Sequence, residues 1–355
     1  MNTTTPTATA GGKPYSVWVA DRTNYLILGF GACVLIVLAL FPLFAGIPWT
    51  RRLVDFFTLL ALAQLWNLML GYGGVLSVGQ QGYIGIGSYT LWLFADVLHV
   101  SPFIAVIFAA VGGAIVAVPA AALVFKLKGG YLAIGTWVIA EILRLIVANI
   151  KRTGGGSGIT IQAATKLGTD VRVPGTYWWA FGSAVLAIGV TYILLRTRTG
   201  LGLKAMRDND LAAESNGVNL WRLKLYTYVI AGAGCAVVGA IVAIHLLRVQ
   251  PAAAFSINWM AYLIFITVIG GIGTIEGPVI GTVIYFVLRE TTAKYGEWYF
   301  IVLGIIAITV TVWSPVGIYG YIVRKTNFFV FPLQRKLRLS STATEPKELV
   351  AEAEV

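Results

Sequence analysis

Apolar residues run along the chain in long stretches, separated by short polar or glycine-rich segments. The stretches fall at Tyr25–Phe44, Leu53–Leu70, Gly82–Leu98, Phe103–Phe125, Tyr131–Ile150, Tyr177–Leu195, Leu225–Leu247, Met260–Ile269, Val279–Leu288 and Phe300–Trp313. A helix needs roughly 20 residues to cross a bilayer, and most of these stretches approach that length. The eighth and ninth are too short alone, and glycines separate them in VIGGIGTIEGPVIG, Val268–Gly281. The pattern predicts an all-α, polytopic membrane protein with about ten transmembrane segments, glycine-broken helices and both termini cytoplasmic.

Composition agrees. Of 355 residues, 58% are hydrophobic and 12% charged, where soluble domains run near a quarter charged. Mean hydropathy is +0.81. No independent soluble domain fits between the spans. The net charge of +11 would suggest nucleic acid in a soluble protein. Here the cations sit in loops, and the preference for positive loops on the cytoplasmic side explains them better. The proposed inside carries sixteen Lys and Arg, six of them between Arg196 and Lys224, against eight outside. Residues 1–23 read as a flexible tail, residues 24–322 as the membrane domain, and residues 323–355 as a partly disordered cytoplasmic tail. Cys33 and Cys235 lie in apolar runs and read as small packing residues.

The stretch GYGGVLSVGQQGYIGIGSYT, Gly71–Thr90, holds seven glycines in twenty residues. Glycine is poorly suited to a rigid helix. Non-helical backbone at membrane depth survives only when buried in protein or lining water. A break is therefore expected between Leu70 and Gly82, with a faint echo at GGIGTIEGPVIG from Gly270. Asn67, Gly74, Ser77, Gly79, Gln80 and Gln81 in the first region are candidates for the break or a translocation path, with Gly271, Gly273 and Glu276 in the second. Tight packing alone is the competing account. Glu141 and Arg144 stand three apart within one span and predict an intramembrane ion pair, read first as structural.

The segment RTRTGLGLKAMRDNDLAAESNGVNLWRLK, Arg196–Lys224, is more than a connector. Helix formers run from Leu201 to Ser215, Asn209 or Asp210 can cap a second short helix, and Gly217 can end it. Leu203, Met206, Leu211, Ala212 and Ala213 give the unit an apolar side; Lys204, Arg207 and Glu214 give it a charged one. An interfacial anchor and a docking element fit this pattern equally well.

GLGLKAMRDNDLAAESNGVN resembles the coupling loop of ABC importer permeases. The opening stretch, KLKGGYLAIGTWVIAEILRLI with TGGGSGI, and IGGIGTIEGPVIG resemble three further blocks of the LivM branch of the branched-chain (hydrophobic) amino acid permeases, in the same order. Gln80 and Gln81 stand where many relatives carry His and a small residue. The resemblance implies that Gly200, Lys204, Arg207, Asp208, Asp210, Ala212, Glu214 and Gly217 couple the chain to an ATPase. It implies a sister permease (LivH-like), two cytoplasmic ABC ATPases (LivG/LivF-like) and a periplasmic or lipid-anchored binding protein. It places the chain in the bacterial inner membrane, among lipid and away from nucleic acid. ATP and Mg would belong to the ATPases, so this chain holds no cofactor and is no enzyme.

The residues themselves agree on the last point. No G-x-x-x-x-G-K-[ST] loop occurs, and His99 and His245 are isolated, so no metal or nucleophile set suggests itself. The expected cargo is a branched-chain or related hydrophobic amino acid, with urea, amides or small organic acids as the alternative. An ion-driven secondary transporter and a non-transporting scaffold are the competing classes; a secondary carrier does not need the Arg196–Ser215 loop, and a scaffold predicts that deleting the loop leaves uptake intact.

Overall fold

In hydrocarbon, every backbone N–H and C=O must find a partner within the protein, so long apolar runs become helices. The computed structural model describes residues 15–18, 22–292, 298–314, 316–326 and 336–339. In chain order the helices are α1 (Arg22–Leu40), α2 (Ile47–Asn67), α3 (Gln80–Trp92), α4 (Pro102–Val124), α5 (Gly130–Asn149), α6 (Gln162–Thr165), α7 (Thr169–Arg196), α8 (Arg198–Asp208), α9 (Asp210–Ser215), α10 (Leu220–Leu246), α11 (Pro251–Ala254), α12 (Asn258–Gly270), α13 (Glu276–Thr292), α14 (Trp298–Trp313) and α15 (Gly317–Thr326). π-type turns extend α2 through Leu68–Tyr72 and α3 through Leu93–Val97.

The chain is a multi-pass membrane protein. Among the described residues, seven helical stretches are long and apolar enough to cross a membrane: Ile47–Tyr72, Pro102–Val124, Gly130–Asn149, Thr169–Arg196, Leu220–Leu246, Pro251–Gly270 and Ile301–Val323. Cys33–Leu43 is apolar but shorter. The helices α3 and α13 have 13 and 17 residues and fall short of the same length. The expected run Tyr177–Leu195 starts eight residues early, because α7 begins at Thr169 and carries Pro174 in its opening turns.

The contacts divide the chain into two units. In the smaller, formed by residues 1–34 and 329–355, β1 (Tyr15–Trp18) pairs antiparallel with β4 (Lys336–Leu339). These strands stand in the two segments read as flexible tails; residues 1–14 and 340–355 lie outside the described residues. Cys33, read as a packing residue, is exposed, whereas Cys235 is buried.

In the larger unit, residues 35–328, α10 packs on α4, α3, α2 and α7, while α2 also packs on α7, α12 and α13. Small residues allow these close approaches. A Cβ on Gly87 would strike the Ala236 carbonyl, and one on Gly239 would strike that of Ile84. Ser88 Oγ donates to the Gly239 carbonyl at 2.8 Å across the same contact. The pair α12–α13 crosses as closely, Gly270 against the Gly277 carbonyl and Gly281 against that of Ile266. At the end of the bundle opposite α8–α9, β2 (Ile159–Thr160) pairs with β3 (Arg248–Val249). There the Asp96 carboxylate accepts from the N–H groups of Gln162 and Ala163, at 2.9 and 2.7 Å, and holds the start of α6.

The glycine contacts carry a testable consequence. Gly87→Ala and Gly239→Ala are each expected to destabilise the protein by about 1–3 kcal/mol through overpacking. Gly182→Ala, where a Cβ meets open space, is expected to be neutral or stabilising by up to about 1 kcal/mol. Thermal unfolding in detergent micelles distinguishes the three; equal midpoints would contradict the packing account.

Candidate functional site

The two glycine-rich breaks meet. Asn67, fully buried at the end of α2, reaches across to the segment between α12 and α13. Its Nδ2 donates to the Thr274 carbonyl at 2.7 Å, and its Oδ1 accepts from the Gly273 N–H at 2.8 Å. One side-chain amide thus satisfies two backbone groups that the second break exposes. Thr274 continues the arrangement: its Oγ1 donates to the Gly271 carbonyl at 2.8 Å and accepts from the Gly277 N–H at 3.0 Å. Only glycine fits at position 71, where a Cβ would strike Asn67 Oδ1 and the Gly273 backbone. Gly273 has φ +77°, a left-handed conformation that favours glycine.

The first break is narrower than expected. Helical turns continue to Tyr72, residues 74 to 79 form no regular element, and α3 begins at Gln80. Gln80 and Gln81 are therefore helical. Ser77, Gln80 and Gln81 are all buried, and Ser77 and Gln80 are bonded inward. Ser77 Oγ donates to Gln80 Oε1 at 3.2 Å, Gln80 Nε2 to Met69 Sδ at 3.2 Å, and Trp66 Nε1 to the Ser77 carbonyl at 2.8 Å. The Val78 N–H donates to Thr136 Oγ1 on α5 at 2.9 Å, and Gly79 lies against the Thr136 carbonyl. Gln81 Oε1 and both amide atoms of Gln64 have no partner among the described residues.

The helix pair α8–α9 docks on this break. Asn209 caps α9, its Oδ1 accepting from the Ala212 N–H at 3.0 Å, and Gly217 follows the helix with φ +81°. Lys224 Nζ and Asp210 Oδ2 close the unit at 2.9 Å. Leu203, Met206 and Ala213 are buried. Leu211, read as part of that apolar side, instead points outward and is 74% exposed; Leu201 is 69% exposed. A six-residue helix is too short for its periodicity to fix a face. Ala212 and Glu214 are exposed, Lys204 is half-buried, and Gly200 lies against the Leu195 backbone. A groove of about 550 Å³ opens beside α8, lined in part by Leu201, Ala205, Arg222 and Tyr226.

Arg207 stays exposed over 43% of its side chain, yet its tip reaches the first break. Its Nη1 donates to the Gly71 carbonyl at 2.8 Å, and its Nη2 lies 3.4 Å from Asp208 Oδ1. Gly74, with φ +63°, passes directly under the Arg207 Cα. Asn67, Gly71, Gly273 and Arg207 therefore form one junction that joins α8, α2 and the second break. Glu276 opens α13 two residues beyond Thr274. Glu141 and Arg144 form their expected pair on α5, away from this junction, with Arg144 Nε 2.9 Å from each carboxylate oxygen.

Several structural residues escaped the sequence pattern. Thr136 and Thr274 carry no periodic signal. Asp96 left one, as the lone carboxylate in Gly82–Leu98. At the end opposite α8–α9, Asp55 lies 3.3 Å from Arg289 and 3.6 Å from His245, and Arg52 lies 3.4 Å from Glu290.

The profile of a family described as branched-chain amino acid transport system / permease component matches residues 50–311. The high-affinity branched-chain amino acid transport system permease protein LivM of Escherichia coli (strain K12) is 28% identical over 282 residues, covering 71% of this chain and 65% of the relative. The chain thus spans a little under two thirds of that relative's length. A probable branched-chain amino acid transport permease protein LivM of Methanocaldococcus jannaschii is 27% identical over 296 residues, covering 76% and 81%. The nucleoside ABC transporter permease protein NupC of Lactococcus lactis subsp. cremoris is 26% identical over 185 residues, covering 46% and 58%. No solved structure matches the chain.

Asn67→Ala leaves the half-buried Gly273 N–H and Thr274 carbonyl without this partner, at about 1 kcal/mol for each group. The expected outcome is a lower unfolding midpoint in detergent. Asn149→Ala, which removes an exposed bond to the Leu145 carbonyl, is the control. An Asn67→Ala midpoint equal to wild type would overturn the bridging role.

Proposed function

Because this chain belongs to the family of branched-chain amino acid transport system / permease components, we propose that it is one permease subunit of an ABC importer in the bacterial inner membrane. It pairs with a sister permease, two cytoplasmic ATPase subunits carry ATP and Mg, and a binding protein delivers solute from outside. The cargo is a branched-chain or related hydrophobic amino acid; urea, amides and small organic acids are the alternative. The chain crosses the membrane ten times. The seven long helical stretches are joined by α1, by α3 with its terminal turn, and by α13. The unit α8–α9 lies in the cytoplasm.

The observation that carries this proposal is the hydrogen bond from Arg207 to the Gly71 carbonyl. A permease must convert ATPase closure into a change of helix arrangement at membrane depth. The exposed residues Leu201, Asp208, Leu211, Ala212 and Glu214 offer an ATPase a mixed apolar and charged surface. Arg207 links that surface to the first break, and Asn67 links the first break to the second. Glycine at 71, 74 and 273 lets the backbone rotate where bulkier residues would clash or strain. Arg207, itself part-exposed beside Asp208, thus borders that surface and transmits from it. A secondary carrier driven by ions needs no such external lever.

Arg207→Met is expected to leave the ATPase subunits bound in co-purification while ATP-driven uptake of leucine falls by at least about tenfold. A Leu201→Glu/Leu211→Glu double variant is expected to lose the ATPase subunits themselves. Gly74→Leu is expected to block uptake with the subunits retained. Full uptake by Arg207→Met would remove its assigned role, and uptake that survives loss of the ATPase subunits would sink the importer proposal.

A further inference from the structure

The helix α5 carries an acid–base pair within an otherwise apolar span. Arg144 holds Glu141 through Nε and Nη2, yet both side chains remain partly accessible, 29% and 44% respectively. Trp137 and Val138, one turn before Glu141, and Leu145, one turn after, are also exposed. All five lie on one helical stripe at spacings of three and four.

The depth of the pair argues against a lipid-facing position. Glu141 stands eight residues from the Asn149 end of α5, and charged side chains at membrane depth are costly unless they face a protein interior or water. Both side chains open to the outside of this chain, so the stripe borders a watered or protein-lined space.

We propose that Glu141 and Arg144 receive the two charged end groups of a zwitterionic α-amino acid, while Val138 and Trp137 lie along its apolar side chain. The proposal rests on the importer function above and assigns residues to its substrate selectivity. Glu141 occupies the Nε–Nη2 edge of the guanidinium, and Nη1 has no partner among the described residues. The Nη1–Nη2 edge is a second fork for a carboxylate. The Glu141 oxygens keep lone pairs for an ammonium group. In an α-amino acid the carboxylate and ammonium share one carbon, so they reach Arg144 and Glu141 together and leave the internal pair intact. Four alternating charges result, and no proton moves. A neutral sugar or nucleoside brings neither end group, so the pair separates amino acids from neutral solutes.

The test measures leucine binding to the assembled permease pair and ATPases in nanodiscs, without binding protein, by scintillation proximity at millimolar leucine. Wild type is expected to bind leucine at least about tenfold more tightly than leucinamide or isocaproate, each of which lacks one end group. Arg144→Lys keeps a cation but loses the second fork, and is expected to raise the Kd by at least about tenfold. The double variant E141R/R144E keeps an internal pair with its order reversed and is expected to weaken binding similarly. A merely structural pair tolerates the reversal, so an unchanged Kd there overturns the proposal. If that variant does not assemble, Arg144→Lys decides alone in the same two directions. Absence of leucine binding to wild type also overturns it. Leucine uptake by the complete system is measured in parallel. ATP-driven uptake with unmoved Kd values removes only the role of the pair, whereas no ATP-driven uptake of any solute removes the importer function.

Discussion

A polar backbone that leaves its helix inside an apolar medium must be paired again, or the break cannot persist. Two breaks face that demand here: the amide of Asn67 answers it for the second, and Trp66, Thr136 and Arg207 answer it for the first. Asn67 is anchored at the end of α2 and bonds both Gly273 and Thr274. The close approach this requires explains why position 71 has no side chain, and Thr274 then carries the pairing on to the start of α13. The rest of the junction follows, including the carbonyl of Gly71, which is turned toward the guanidinium of Arg207.

Charge is arranged with similar economy. The end of the bundle opposite α8–α9 also holds cations. Several of them face carboxylates: Arg289 lies near Asp55, and Arg52 near Glu290. These exposed or half-exposed pairs contribute little to stability, about 0–1 kcal/mol each. They do lower the local net charge where α2, α10 and α13 end together. At the other end, Lys224 and Asp210 close the α8–α9 unit, while Arg196, Arg198 and Arg222 add positive charge around it.

Much of this was legible in the sequence. Apolar run lengths located the helices because a membrane span leaves little choice of conformation. Asn209 and Gly217 announced the short helix α9 because caps act locally. Both glycine breaks were visible as composition. Their meeting was not, since Asn67 and Gly273 stand 206 residues apart and share no period. Nor could the sequence orient Arg207, whose partner is a backbone carbonyl 136 residues away and so carries no residue identity. Gln80 and Gln81 looked like polar groups available to a solute. Both are buried in the first turn of α3, where Gln80 bonds Ser77 and Met69, contacts that no period in the sequence announces.

The glycine contacts between α3, α4 and α10 have a mechanical meaning. Where backbone rests on backbone, a slide of one residue replaces a hydrogen by a Cβ and closes the gap. Gly87 on Ala236, Gly239 on Ile84 and Gly113 on Gly232 therefore fix the register of three helices at once. Packed interiors switch between discrete arrangements and do not deform smoothly. These three helices form a stiff chassis, and any stroke of the protein must be taken up beside it. The helices α12 and α13 lack such a backbone-on-backbone lock to this chassis: side chains join them to α2, through Asn67, the Phe56–Phe286 contact and the Asp55–Arg289 and Arg52–Glu290 pairs, and side chains can turn where backbones cannot.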